Sequence, residues 1–148
     1  MKLSAGDRAP NFSTPDQNGV IHTLAAYKGK WVLLYFYPKD FTTGCTTEAC
    51  KFRDNFDKLK DKVVVVGVSN DSIDSHKKYT EHYSLPFTLL ADTDKHMTGA
   101  YGTDGILFTR RTSFLINPDG IIEKIYEKVN PQIHAEQILI DLAAMQNT

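Results

Sequence analysis

The chain has 148 residues, of which 41% are hydrophobic and 24% are charged, and its formal net charge at pH 7 is −1. These values fit one soluble globular domain over residues 1–148 and exclude a disordered or fibrous chain. The balanced charge argues against a nucleic-acid partner, and no apolar run approaches the roughly 18 residues of a membrane span. The first residues lack the apolar core of a signal peptide, which predicts a cytoplasmic protein.

The first half of the chain predicts a hairpin followed by a βαβ unit. Asn18-Gly19, within a segment rich in turn formers, predicts a tight hairpin. The apolar runs at residues 31–37 and 63–68 are typical of strands buried on both faces. Between these runs, apolar side chains recur at helical spacing: Ala49, Phe52, Phe56 and Leu59. Strand, helix and strand in this order predict a βαβ unit with a right-handed crossover.

The second half predicts a helix, a strand, a short helix, a hairpin and a last helix. The helix covers residues 72–84 after the start signal Asp71-Ser72, the strand covers 87–91, and the short helix covers 94–101 and is closed by Gly102. The hairpin joins residues 112–116 to 121–128 through a turn at 117–120. The last helix is an amphipathic C-terminal stretch with Ile133, Ile138, Leu139 and Leu142. The whole order predicts an α/β fold of thioredoxin type. We expect a central mixed β-sheet flanked by helices, with an N-terminal hairpin extension.

Two cysteines, Cys45 and Cys50, carry the most chemical information. Cys45 lies between the carboxyl end of a predicted buried strand and the start of a predicted helix, where ligands bind in open α/β sheets. The free N–H groups and the positive end of the helix dipole favour a thiolate there, with Thr42 or Thr43 available as the helix cap. The structural alternative is a small buried hydrophobe beside a threonine that only caps the helix.

The spacing of the two cysteines favours a cycle with two stages. Four residues separate them, unlike the Cys-x-x-Cys pattern of disulfide reductases. On one regular helix their Cα atoms would lie roughly 8–9 Å apart, beyond the ~7 Å limit for a disulfide. A bond between Cys45 and Cys50 therefore requires the first turns of the helix to unwind.

The sequence resembles the peroxiredoxins, and within them the bacterioferritin-comigratory or peroxiredoxin Q subgroup. The resemblance covers nearly the whole chain, including residues 6–12, the Pro-x-x-x-Thr-x-x-Cys pattern at residues 38–45, Glu48-Ala49-Cys50, residues 85–87 and residues 111–116. The subgroup usually has proline directly after the signature threonine, whereas this chain has Thr43. We expect this departure to make the first helical turn easier to unwind, since proline suits the first helical position.

The resemblance implies a thiol-dependent peroxidase that reduces hydrogen peroxide and organic hydroperoxides. Cys45 would be the peroxidatic cysteine and Cys50 the resolving cysteine of an intramolecular disulfide, which thioredoxin would then reduce. Pro38 would shield the site from water, Thr42 would hydrogen-bond the thiolate and the peroxide, and Arg111 would supply the positive charge. No metal or other cofactor is implied, and the subgroup suggests a monomer.

Several alternatives stay open from the sequence. A thiol–disulfide oxidoreductase or redox sensor on the same fold would use the same cysteine pair without selective peroxide reactivity. A metal-binding or holdase-type module is a weaker alternative, because the five histidines lack the spacing of a zinc site. Glu48 fits either a partner of the site arginine or an exposed acid of the first helical turn. Arg110 is expected to be an ordinary surface arginine.

Overall fold

The computed structural model describes residues 2–105 and 108–146. Its strands are β1 Ser13–Pro15, β2 Ile21–Thr23, β3 Val32–Phe36, β4 Val64–Ser69, β5 Thr88–Ala91, β6 Thr112–Ile116 and β7 Ile122–Tyr126. Five of them form one sheet in the order β5-β4-β3-β6-β7, in which β3, β4 and β5 are parallel while β6 and β7 run antiparallel to their neighbours. The predicted α/β fold with a mixed central sheet is confirmed.

The central strand β3 contributes to the core on both faces of the sheet. All five of its residues are buried, as the unbroken apolar run predicts. Leu33 and Tyr35 point into one core, and Val32, Leu34 and Phe36 point into the other. This alternation follows from the two-residue period of a strand.

The helices are α1 Thr43–Asp54, α2 Phe56–Leu59, α3 Ile73–Tyr83, α4 His96–Tyr101 and α5 His134–Gln146. Helices α1, α3 and α5 cover the sheet face that carries Leu33 and Tyr35, whereas α4 covers the opposite face. In residues 2–105 and 108–146, no helix combines the length and the apolar character needed to span a bilayer.

Helix α3 follows the sequence prediction closely, whereas α1 does not. The Ser72 hydroxyl accepts a hydrogen bond from the Ser75 amide at 3.1 Å and so caps α3 as predicted. The single helix expected to reach Leu59 is broken at Asn55, whose side-chain amide donates to the Lys51 carbonyl at 2.8 Å. Such side-chain hydrogen bonds compete with continuation of a helix.

The N-terminal hairpin forms where Asn18-Gly19 predicts it. Strands β1 and β2 pair antiparallel, the Asp16 amide donates to the Val20 carbonyl at 2.9 Å, and Gly19 has φ +80°. The second predicted hairpin, β6 and β7, also forms. One detail of the C-terminal prediction is wrong: Ile133 precedes α5 and is 51% exposed, because the helix begins one residue later and buries His134 and Ala135 instead.

His134 holds the start of α5 against the sheet. The side chain is fully buried, its Nε2 lies 2.8 Å from Ser113 Oγ, and its ring packs against Phe52 and Tyr126. Burial lowers the pKa of His134 from 6.5 to about 4. The folded protein therefore keeps this imidazole neutral at pH values where an unfolded chain protonates it.

We expect His134→Gln to remove one source of acid sensitivity. The unfolded chain binds a proton at this residue as the pH falls below 6.5, and the folded protein does so only near pH 4. The contribution of His134 to stability is therefore present above pH 6.5 and lost toward pH 4. The free energy of unfolding of the wild type relative to the variant should fall by about 3 kcal/mol between about pH 7 and pH 4.

Urea denaturation of both proteins at several pH values measures this difference. His82→Gln serves as the matched control, because His82 lies on the surface of α3. A difference between wild type and His134→Gln that does not change with pH would contradict the prediction.

Candidate active site

The register of the sheet brings the predicted site residues to one edge. Phe36 at the end of β3 pairs with Thr112 at the start of β6. Arg111, one residue before Thr112, therefore lies at the same edge as residues 38–42, which connect β3 to α1. Because β3 and β6 are antiparallel, the end of one strand and the start of the other meet where α1 begins.

Cys45 lies in the first turn of α1 with Arg111 beside it. The cysteine is 1% exposed, and Arg111 Nη2 donates to Cys45 Sγ at 3.4 Å. Burial lowers the pKa of Arg111, but the neighbouring Glu48 and Cys45 outweigh it, so the net pKa lies above the usual arginine value. A permanent positive charge therefore faces the sulfur from one side, and the helix N-terminus faces it from within α1.

Gly44 leaves the space that this arrangement needs. A Cβ atom at this position would lie 3.0 Å from Arg111 Nη2 and 3.8 Å from Pro131 Cγ. The guanidinium therefore approaches the helix at a point where only a hydrogen stands on the backbone. The place of Gly44 directly before Cys45 is the one signal in the sequence that points to this role.

Thr42 occupies the N-cap position of α1 but does not cap the helix with its side chain. Its hydroxyl donates instead to the Lys39 carbonyl at 2.8 Å, so the predicted cap is wrong. A threonine hydroxyl has one proton to donate and two lone pairs that accept. In this state Thr42 therefore acts as an acceptor toward its surroundings, and the expected donation from Thr42 to the thiolate is not made.

Glu48 is a buried partner of Arg111, so the interpretation as an exposed acid is wrong. Its Oε1 accepts from Arg111 Nη1 at 2.9 Å, and the side chain is 0% exposed. Within the described residues its Oε2 has no hydrogen-bond partner. Burial raises the pKa of Glu48 to about 7, against the opposing effect of Arg111.

Cys50 lies on the same helix as Cys45 and is not bonded to it. Both cysteines are free, and Cys50 is half-buried. Burial raises the pKa of the Cys50 thiol, which keeps it protonated, while Arg53 opposes this effect. The unbroken helix from Thr43 to Asp54 holds the two Cα atoms roughly 8–9 Å apart, as the sequence geometry requires.

Two further positions singled out from the sequence, Pro38 and Arg110, have different surroundings. Pro38 is half-buried at the start of the loop, close to the sheet edge. Arg110 points elsewhere and donates to the Gly102 carbonyl. Tyr79 of α3, which no sequence motif marks, donates its hydroxyl to Thr46 Oγ1 at 3.2 Å and ties the first turns of α1 to α3.

Two groups of carboxylates and imidazoles have the spacing of metal ligands in the described part of the chain: Asp40, Asp71 and His76, and Asp92, Asp94 and His96. Neither includes a cysteine. In the first group both imidazole nitrogens of His76 are already hydrogen-bonded, to Asp40 and to the Leu90 carbonyl. In the second, both Asp92 oxygens accept from backbone amides. These interactions are those of structural clusters.

Comparison with known proteins places the chain in a family. Residues 5–125 match the model of the AhpC/TSA family. Peroxiredoxin Bcp of Escherichia coli K12 is 41% identical over 149 residues, which cover 93% of this chain and 94% of the relative. Peroxiredoxin Bcp of Bacillus subtilis 168 is 36% identical over 154 residues, with 98% of each chain covered.

Solved structures agree with this placement. A cysteine-to-serine mutant of Xylella fastidiosa peroxiredoxin Q has a TM-score of 0.94 and 29% identity, with 99% of each chain covered. The Xanthomonas campestris bacterioferritin comigratory protein, described for its alkyl peroxide reduction activity, has a TM-score of 0.86 and 30% identity over 90% of this chain and 91% of that one. The chain therefore belongs to the AhpC/TSA family and is a thiol-dependent peroxidase of the Bcp and peroxiredoxin Q type.

Proposed function

We propose that Cys45 reduces hydrogen peroxide and organic hydroperoxides and that Cys50 resolves the oxidised enzyme. The observation that carries the proposal is the hydrogen bond from Arg111 to the buried Cys45 sulfur at a helix N-terminus. The guanidinium and the N–H groups of the helix start stabilise negative charge at the sulfur during its attack, and the thiolate is the nucleophilic form of cysteine. The alkyl peroxide reduction of the Xanthomonas campestris relative supports the inclusion of organic hydroperoxides.

In the first step the Cys45 thiolate attacks the terminal oxygen of the hydroperoxide. The sulfur–oxygen bond forms as the O–O bond breaks, so that Cys45 becomes a sulfenic acid and the alkoxide or hydroxide leaves and takes up a proton. The Arg111 guanidinium stabilises the negative charge that moves from sulfur to the leaving oxygen. Thr42, acting as acceptor, receives the O–H of the bound hydroperoxide, and Pro38 shields the sulfur from water.

The second step requires α1 to open. The Cys50 sulfur attacks the Cys45 sulfenic sulfur, the S–O bond breaks, and water leaves as the disulfide forms. The two Cα atoms must come within ~7 Å, so the turns between the cysteines unwind. Unwinding breaks the contact of Thr46 with Tyr79 and separates Cys45 from Arg111.

The third step returns both thiols. An external dithiol attacks the disulfide and is itself oxidised to a disulfide, and we propose thioredoxin as this reductant. Since both cysteines lie on α1, one copy of the chain completes the cycle, and we infer a monomer. A disulfide that is reduced in every cycle suits a reducing compartment, for which we propose the cytoplasm.

We expect different failures from the two cysteine variants. Cys45→Ser should abolish turnover with hydrogen peroxide, because it removes the nucleophile. Cys50→Ser should complete one turnover and then stop, because its sulfenic acid has no intramolecular partner. Stopped-flow kinetics with a thioredoxin system measures both outcomes.

Full multiple-turnover activity in Cys45→Ser would overturn the assignment of the nucleophile. The same assay separates a peroxidase from a thiol–disulfide oxidoreductase. A peroxidase reacts much faster with hydrogen peroxide than with a small disulfide, whereas an oxidoreductase shows the reverse order.

We expect Thr43→Pro to slow disulfide formation without slowing the reaction with peroxide. Thr43 is the first residue of α1, and Thr42 before it has φ −83° and ψ 154°, which a following proline accepts. Proline there stabilises the folded turn by roughly 0.4–1 kcal/mol, and unwinding should slow about two- to fivefold. Rapid-mixing measurement of the disulfide step tests this, with Thr47→Pro as a helix-breaking contrast that should speed the step. An unchanged rate in Thr43→Pro would contradict the expectation.

The charge of Glu48 determines whether the positive charge of Arg111 acts on Cys45 alone or on both Cys45 and Glu48. Because the pKa of Glu48 is raised to about 7, the carboxyl group is neutral in mildly acidic solution and negative above about pH 7. When it is neutral, the charge of Arg111 acts on Cys45 alone. When it is negative, the guanidinium also pairs with a carboxylate, and the folded protein bears the free-energy cost of burying that carboxylate.

We expect Glu48→Gln to stabilise the reduced protein at high pH only. The folded state binds a proton at Glu48 up to about pH 7, whereas the unfolded chain loses it near 4.5, so stability falls as the pH rises through this window. Relative to its value at about pH 4, the stability gain of the variant should reach about 3 kcal/mol at about pH 8. Urea denaturation measures it, with the exposed Glu136→Gln as control. A gain that is the same at both pH values would refute the expected effect of charge.

A further inference from the structure

A buried carboxylate lies inside the loop that carries the proposed peroxide-binding residues. Asp40 stands between Pro38 and Thr42, yet its side chain is only 1% exposed. Tyr37 donates to Asp40 Oδ1 at 2.6 Å, and Ser75 donates to Oδ2 at 2.8 Å. The third partner is His76, whose Nδ1 lies 2.7 Å from Oδ2.

The hydrogen bonds of His76 connect Asp40 to β5. Its ring is fully buried, and its Nε2 lies 2.9 Å from the Leu90 carbonyl oxygen, which only accepts. Nε2 therefore carries a proton, and Nδ1 faces an oxygen that already accepts from Ser75. One proton joins Nδ1 to Asp40 Oδ2 whichever of the two groups carries it, and every contact of both side chains is then satisfied. Removing either partner leaves a buried polar group without this hydrogen bond in a place that water does not reach.

The elements that hold Asp40 are distinct from the helix that unwinds. Its partners come from the end of β3 and from α3, and the Asp40 amide donates to Asp71 Oδ2, just after β4, at 2.9 Å. His76 extends the chain of contacts to β5 through Leu90. None of these contacts uses a residue of α1 (Thr43–Asp54). The anchor therefore survives intact when the turns around Cys45 open.

The conformation of Phe41, the residue after Asp40, shows that contacts with other parts of the fold hold this loop. Phe41 has φ +63°, a left-handed conformation that costs a bulky side chain of the order of 1–3 kcal/mol. Its ring packs on Tyr79 of α3 with a centroid distance of 4.9 Å. With Asp40 pinned on one side and the Phe41 ring held on the other, the backbone delivers Thr42 to the start of α1 in one fixed position.

We propose that the buried Asp40–His76 pair is a positioning element of the peroxidase reaction. It fixes Pro38 and Thr42 beside Cys45 for the attack on peroxide, and it keeps their loop in place while α1 unwinds, so that the site re-forms after reduction. Neither residue touches the reacting atoms. This inference rests on the proposed role of Cys45 as nucleophile.

Two substitutions of one residue separate the two hydrogen bonds of His76. In His76→Asn the amide nitrogen takes the place of Nδ1 and still donates to Asp40, but it does not reach Leu90. In His76→Gln the amide takes the place of Nε2, reaches the Leu90 carbonyl and loses Asp40. Ser75→Ala removes a different donor to Asp40 and leaves His76 in place. Asp74→Asn, an exposed neighbour on α3, is the matched control.

Three rates are measured for each protein. In a Cys50→Ser background these are the oxidation of Cys45 by hydrogen peroxide and its alkylation by iodoacetamide, which needs neither Thr42 nor Pro38. With Cys50 present, the third is the rate of disulfide formation. We expect His76→Gln to lower the peroxide rate at least about tenfold, with alkylation and disulfide formation within about twofold of the wild type. His76→Asn should recover most of the loss, Ser75→Ala should fall between them, and Asp74→Asn should match the wild type.

Each other outcome decides against the proposal. A wild-type peroxide rate in His76→Gln excludes a positioning role. A parallel fall in peroxide oxidation and alkylation shows general loss of structure, as does a peroxide rate that is equally low in the Asn and Gln variants. If His76→Gln does not fold, an unchanged peroxide rate in Ser75→Ala refutes the inference. Failure of the proposed function itself is distinct, since peroxide consumption would then persist in a protein whose only substitution is Cys45→Ser.

Discussion

The arrangement of the active site depends on one guanidinium group shared between a sulfur and a carboxylate. Arg111 donates to Cys45 with one nitrogen and to Glu48 with another, and both partners lie on α1, one turn apart. The pairing of Phe36 with Thr112 sets the position of Arg111, so the sheet fixes where the positive charge stands. The helix then has to present its first turns to that charge, and this interaction ties the Cys45 thiol to the sheet.

Helix α1 meets two opposite requirements. Before reaction it must be folded, because the helix N-terminus and Arg111 together create the environment of Cys45. In the proposed cycle it must open after the oxidation of Cys45, because Cys50 is out of reach on an intact helix. The first turns combine polar contacts, such as that between Tyr79 and Thr46, with the buried Cys45, and Ala49 and Phe52 further along are buried in the same core. The proposed opening therefore has to disturb the buried Cys45 and Ala49, whereas Phe52 lies beyond the turns between the two cysteines.

Much of this architecture is predictable from the sequence, and the exceptions share a physical cause. Apolar runs identify the strands because a strand buried on both faces needs no polar residue, and the pattern from Pro38 to Cys45 marks the site. Glu48 pairs with Arg111, and Asp40 hydrogen-bonds His76. Both interactions join residues that are far apart in the chain, so no local sequence pattern predicts them. The hydroxyl of Thr42 had two acceptable partners, and only the folded loop selects between them.

Two buried groups on the same side of the sheet exchange protons with solvent in opposite directions when the chain folds. Folding makes Glu48 take up a proton between about pH 4.5 and 7 and makes His134 release one between about pH 4 and 6.5. Over the shared interval the two changes cancel, so these residues together leave the proton count of folding unchanged. The protein thus has a carboxyl group with a pKa near 7 at its active site. The effect of this group on the pH dependence of stability in weak acid is offset by His134.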